Sequence, residues 1–178
     1  MKDFVYNIPT KVYFGKDQLG HLGEELAKYG KRVLITYGGG SIKKTGLYDI
    51  AMEEIKKAGM EVFELSGIEP NPRIGSVRKG AEMCKEHNID VLLAIGGGST
   101  IDATKWIAAG ACVEHDPWDF FVKGAVVEKA LPIVTILTLA ATGSEMNFGG
   151  VISNPETQDK LAASSQLLFP KASSSIRK

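Results

Sequence analysis

Apolar residues recur along the chain in short runs, and between the runs they fall at helical spacing. Val33 to Tyr37, Glu61 to Leu65, Val91 to Ile95 and Ile133 to Leu137 are rich in β-branched and apolar side chains. A strand with one wet face alternates apolar with polar, so runs that are apolar nearly throughout predict strands covered on both faces, as in a parallel sheet. Leu47, Ala51, Ile55 and Ala58 make one helical stripe, and Ile74, Val77, Ala81 and Cys84 make another. Strand and helix alternate in units of roughly thirty residues, the size of a βαβ crossover. The pattern predicts an α/β fold with a doubly wound, mostly parallel sheet.

The two ends read differently. Phe4 to Tyr6 and Lys11 to Phe14 flank Pro9-Thr10 and predict an N-terminal hairpin or edge pair. A helix is expected next, with Asp17 as its N-cap and Leu19, Leu22, Leu26 and Tyr29 on its buried side. Val151 to Ser153 and Lys160 to Ala162, on either side of Asn154-Pro155-Glu156-Thr157, predict a late β-hairpin. The last seven residues, Ala172-Ser173-Ser174-Ser175-Ile176-Arg177-Lys178, are polar and without period. Residues 1–171 are therefore read as one domain, and 172–178 as a frayed or truncated tail.

Composition narrows the class. The 178 residues carry 21 basic and 21 acidic side chains, which cancel and leave no electrostatic footprint for nucleic acid. Two cysteines are too few for a disulfide framework and fit a reducing compartment. The longest apolar run, Ala130 to Ala141, contains Pro132 and is too short to span a bilayer. The amino terminus lacks the apolar core of a secretory signal. A cytoplasmic protein with no membrane partner is the expectation.

Three glycine-bearing or small-residue turns carry the candidate chemistry. Gly96-Gly97-Gly98-Ser99-Thr100-Ile101-Asp102 comes after one strand and opens a helical pattern. Glycines let the backbone approach a bulky anion, and a helix N-terminus offers unpaired N–H groups and partial positive charge. Ser99 or Thr100 is expected to cap the helix. The pattern is neither G-x-G-x-x-G, since Ile101 stands at the third glycine, nor a P-loop. By spacing alone it suits a phosphate or pyrophosphate of any nucleotide or sugar phosphate.

Tyr37-Gly38-Gly39-Gly40-Ser41 is a second such turn, and Thr138, Thr142 and Ser144 with Glu145 make a third. No acid stands in the second turn to accept ribose hydroxyl hydrogens; Ser41 and Lys43-Lys44 stand there instead, which suits a 2′-phosphate and favours NADP over NAD. Catalytic groups are not evident. His21, His87 and His115 are scattered and form no metal-ligand spacing, and Cys84 sits on an apolar stripe as packing.

Several of these pieces in this order resemble the iron-containing (group III) alcohol dehydrogenase family, in its NADP-dependent butanol dehydrogenase or aldehyde reductase branch. The specific stretches are Leu34 to Ser41, Pro70-Asn71-Pro72, Gly96 to Ser99 with Asp102, and Ala141-Thr142-Gly143-Ser144-Glu145. The resemblance implies a Rossmann-like cofactor domain followed by a helical domain, and hydride transfer between a nicotinamide and a primary alcohol or aldehyde. It implies that Gly97, Gly98 and Ser99 hold the pyrophosphate and that Gly38, Gly39, Gly40 and Ser41 surround the adenosine ribose. Asn71, Asp102, Thr138, Thr142 and Asn147 would line the cofactor cleft, with Lys160 reaching a ribose or phosphate. In relatives that look NAD-selective an aspartate stands where this chain has Tyr37-Gly38.

The family's metal ligands, one aspartate and three histidines, fall beyond the late hairpin, and no acid comes after Phe169-Pro170-Lys171. The expectation is a cofactor domain alone: no catalytic residue, no iron or zinc site except in a full-length parent, and no alcohol oxidation by this chain by itself. Homodimerisation or self-association through surface left bare is also expected. Two alternatives stay open, a non-catalytic nucleotide-binding module and a relative of glycerol dehydrogenase or dehydroquinate synthase.

Overall fold

A computed structural model describes residues 7–176. Its elements in chain order are β1 (Lys11–Gly15), α1 (Leu22–Ala27), β2 (Arg32–Tyr37), α2 (Ser41–Lys44), α3 (Leu47–Lys57), β3 (Glu61–Leu65), α4 (Ile74–Glu86), β4 (Val91–Gly96), α5 (Gly98–Gly110), α6 (Asp119–Val122), β5 (Ile133–Leu137), β6 (Gly149–Asn154), β7 (Asp159–Ser164) and β8 (Ala172–Ile176). Among the described residues six strands form one sheet in the order β1-β8-β5-β4-β2-β3, and every pairing in it is parallel. The expected α/β, doubly wound parallel sheet is present. No helix among the described residues is long and apolar enough to cross a membrane.

The unbroken apolar runs are explained by the two layers. Leu34 and Leu92 point into one core with Ile74, Val77, Trp106 and Ile107 of α4 and α5. Their neighbours Val33, Ile35, Val91, Leu93 and Ile95 point into the other, against Leu22 and Leu26 of α1 and Ala51 and Ile55 of α3. Successive strand residues alternate between two dry faces, so polarity has no reason to alternate.

Two expectations fail here. The stretch read as a fraying tail contains β8, which lies inside the sheet between β1 and β5. Ser173 and Ser174 are buried, and Thr135 Oγ1 donates to Ser173 Oγ at 2.8 Å. Small hydroxyls paired within the sheet can be buried at little cost, which a reading of polarity alone misses. Asp17 does not cap α1. It takes a left-handed φ of 58° and its side chain caps nothing; a 3-10 turn, Gln18–His21, separates it from the α-helix.

The late hairpin is present as β6 and β7, paired antiparallel from Gly149↔Ser164 to Asn154↔Asp159. It rests on α5 so closely that a Cβ added at Gly150 would lie 2.9 Å from Trp106 Nε1. Ser153 N donates to Pro72 O at 2.8 Å, tying the hairpin to the loop after β3. At the chain start, β1 is an edge strand paired in parallel with β8, and the other arm of the expected N-terminal hairpin, Phe4 to Tyr6, lies outside the described residues.

Candidate functional site

All six strands run the same way, so the turns after β2, β4 and β5 emerge at one edge of the sheet. This is where open α/β sheets bind ligands. Between these turns, the loop after β3 and the β6–β7 hairpin lies a cleft of about 510 Å³.

The floor is the start of α5. Gly97 is its N-cap and no side chain caps it. The expected cap by Ser99 or Thr100 is not made, because the helix begins at Gly98 and both hydroxyl residues already lie within its first turn. The first intrahelical bond there is from Ile101 N to Gly97 O, at 3.2 Å, which leaves the N–H groups of Gly98, Ser99 and Thr100 for whatever enters the cleft. A 13-residue helix brings a substantial partial charge to that point. A Cβ at Gly98 would come within 2.8 Å of Thr142 Oγ1, so glycine keeps the floor open.

The structure brings many of the sequence-derived candidates to this one cleft. Gly38 and Gly39 enter from the turn after β2, Asn71 from the loop after β3, and Gly97, Gly98, Ser99 and Asp102 from the start of α5. Thr142 comes from the loop after β5 and Lys160 from β7. Across its mouth Lys160 Nζ donates to Asn71 Oδ1 at 2.7 Å. Asp102 is committed: Ser144 Oγ donates to one carboxylate oxygen, and Val151 N to the other at 3.0 Å.

Four candidates lie outside the walls of this cleft. Gly40 and Ser41 form the N-cap and first residue of the four-residue α2. Thr138 is half-buried and its N–H donates to Gly96 O at 3.0 Å, extending the ladder. Asn147 lines an adjoining hollow of about 460 Å³ that shares Asp102, Thr142 and Val151 with the main cleft.

Lys43, read from sequence as a cation for a 2′-phosphate, is engaged elsewhere. Its Nζ lies 3.7 Å from Glu64 and over the rings of Tyr48 and Tyr37, at 4.5 and 5.3 Å from their centroids. Tyr37 donates to Glu64 Oε2 at 2.7 Å and Tyr48 to Oε1.

One residue of the site escaped sequence reasoning altogether. Lys105 is fully buried, and its Nζ donates to Ser144 Oγ at 3.1 Å, Asn147 Oδ1 at 2.7 Å and Gly149 O at 2.8 Å. Burial pushes its ammonium down to about 8, while the charges of Asp102 and Glu145 act the other way. The available signal was a lysine three residues after Asp102, in a helix otherwise apolar from Ala103 to Gly110 apart from Thr104.

The remaining reactive side chains sit apart. His21 stacks on Tyr13, His87 on Phe63, and His115 meets the edge of Phe120. Burial raises the Cys84 thiol to about 12, which keeps it an inert core residue. Among the described residues no group of three or more His, Cys, Asp or Glu could hold a metal ion.

Comparison with known proteins agrees with this geometry. The family described as iron-containing alcohol dehydrogenase matches residues 9–174. A probable NADH-dependent butanol dehydrogenase of Bacillus subtilis is 57% identical over 173 residues, covering 97% of this chain and 45% of that protein. The NADPH-dependent aldehyde reductase YqhD of Escherichia coli is 43% identical, covering 96% of this chain and 44% of that one. The crystal structure of an NADH-dependent butanol dehydrogenase A from Thermotoga maritima superposes with a TM-score of 0.94 at 45% identity, over 98% of this chain and 44% of that chain. The chain thus spans less than half the length of these relatives.

Proposed function

Because the chain belongs to the iron-containing alcohol dehydrogenase family, we propose that it is the nicotinamide dinucleotide-binding domain of an enzyme that interconverts primary alcohols and aldehydes. The observation that carries the reading is the uncapped N-terminus of α5, laid bare by Gly97 and Gly98 at the floor of the cleft. The N–H groups of Gly98, Ser99 and Thr100 would bind the pyrophosphate. Lys160, held over the mouth by Asn71, would donate to a ribose or phosphate oxygen, and Gly38 and Gly39 would leave room for the adenosine end. When bound, the dinucleotide supplies the hydride donor or acceptor; the protein supplies position and charge.

The metal named by the family does not fit the residues described, since they offer no cluster of ligands for it. No metal-assisted step is assigned to this chain, and it is read as catalytically incomplete by itself.

Coenzyme choice depends on the turn after β2. The absence of a carboxylate from Gly38 to Ser41 admits a 2′-phosphate, which supports use of NADPH. The commitment of Lys43 to Glu64 withholds the cation that would make that preference strong. The site is therefore read as accepting both coenzymes, with affinities within about tenfold, or about 1.4 kcal/mol. Fluorescence titration of the chain with NADPH and with NADH checks both points: saturable binding of each is expected, and no response to either at millimolar coenzyme would overturn the assignment. A second reading is a nucleotide-binding module without chemistry, since the described residues offer no cluster of metal ligands. Turnover of butanal with NADPH and added iron or zinc by the same polypeptide would eliminate that alternative.

A further inference from the structure

We propose that Lys105 is a positioning residue for the coenzyme cleft: its buried ammonium clamps the segment from Ser144 to Gly149 and thereby presents Asn147 beside Asp102 and Thr142. The inference rests on the dinucleotide reading above.

The geometry is that of a clamp. The three N–H donors of one ammonium meet three acceptors, Ser144 Oγ, Asn147 Oδ1 and Gly149 O, which lie on six consecutive residues. Ser144 is itself held from the far side, donating to Asp102. Asn147 Oδ1 also receives Gly149 N at 3.1 Å, so the carbonyl end of this amide is fully occupied. That orientation leaves the NH₂ group toward the cleft side, where its only partner among the described residues is a long contact to Thr142 O at 3.5 Å. A donor held this way, on a rigid helix through a buried side chain, is suited to a ligand oxygen.

Burial of a lysine is costly, and a lysine whose long stem merely packed would send its charge to water. Here the charge is kept inside. The charged side chains that face it are Asp102 from its own helix and Glu145 from the loop, whose Oε2 is buried without a hydrogen-bond partner among the described residues; the hairpin contributes only the Gly149 carbonyl.

The clamp has a pH signature that distinguishes positioning from packing. A neutral amine has two N–H donors for three acceptors, so one contact is lost as Lys105 deprotonates through about 8. Folding stability moves the other way. The folded chain gives up this proton at lower pH than the unfolded chain, near 10.5, so between those values the unfolded state binds more protons and this group's contribution to stability rises with pH.

The test uses the 178-residue chain, with NADH and NADPH titrated by fluorescence from about pH 7 to about pH 9.5 and thermal unfolding monitored over the same range. The wild-type affinity for both coenzymes is expected to fall about threefold to tenfold, the worth of one hydrogen bond, while the unfolding midpoint does not fall with it. Lys105→Met is expected to bind more weakly at pH 7 and to show a flat profile. Asn147→Ala is expected to abolish the wild-type slope, and the double variant to bind no worse than the weaker single one. A wild-type affinity that stays level across the range overturns the inference while leaving the dinucleotide reading intact, and needs no variant to fold. Additive losses in the double variant also overturn it, since Lys105 would then act on the ligand by charge rather than through Asn147. Failure of the wild type to bind either coenzyme at any pH overturns the dinucleotide reading and this inference together.

Discussion

Tyr37-Gly38-Gly39-Gly40-Ser41 and Ile95-Gly96-Gly97-Gly98-Ser99 are nearly the same five letters, each at the end of an inner parallel strand, yet they build different turns. The first opens α2, four residues long, which stops before Gly46 takes a left-handed φ of 75°. The second opens α5, 13 residues long, whose residues from Ile101 to Gly110 are buried except for the half-buried Asp102. Partial charge at a helix N-terminus comes from aligned peptide dipoles, so four residues supply much less of it than a long helix. The comparison teaches that three glycines make room for an anion, and that the length of the helix behind them decides whether charge is aimed into that room.

This contrast can be broken from the helix side. Trp106, 1% exposed, anchors α5 against Phe120, Phe121 and the backbone of Gly150, and α2 has no counterpart. Trp106→Ala is expected to cost about 3–5 kcal/mol, a large share of a domain's stability, read as a shift in the denaturant midpoint. A loss under about 1 kcal/mol would mean that α5 is held by its neighbours without this ring.

The turns themselves sharpen it next. Gly98→Val would place its side chain against Thr142 at the cleft floor and is expected to weaken NADPH binding at least about tenfold, or about 1.4 kcal/mol. Gly39→Ala, where an added Cβ meets nothing within 4 Å, is expected to change it less than about twofold. Equal losses at both positions would erase the distinction between the turns.

A smaller effect than that at Gly98 concerns coenzyme choice at the weaker turn. Glu64→Gln removes the charge that engages Lys43 and is expected to raise the preference for NADPH over NADH by about threefold, the scale of one half-exposed ion pair. An unchanged ratio of the two dissociation constants would show that Lys43 does not reach the coenzyme even when released.

How much of this was legible in the chain varies with the element. Val33 to Tyr37 and Val91 to Ile95 announced themselves because burial on both faces leaves a nearly unbroken apolar run. The stripes on α3 and α4 did so because one side of each helix stays wet. Ala172 to Ser175 did not, since three serines read as solvated until a strand on either side takes them in. Ser99 looked like a cap because capping depends on the helix starting two residues later than it does. Lys105 was hidden for the opposite reason: a lysine in a helix ordinarily marks the wet side, and here it marks the driest.

By itself the sequence determined the alternation of strands and helices, the parallel sheet and the small-residue turns, because those arise from local periodicity and from the steric freedom of glycine. Only the tertiary structure decided that Gly38, Asn71, Gly98, Thr142 and Lys160 share one cleft, that Asn147 stands next to it, and that a buried ammonium holds the loop between. Those relations join residues far apart in the chain. They exist only once the strands are ordered and the hairpin has closed over α5, since burial and hydrogen-bond partners are properties of the packed whole.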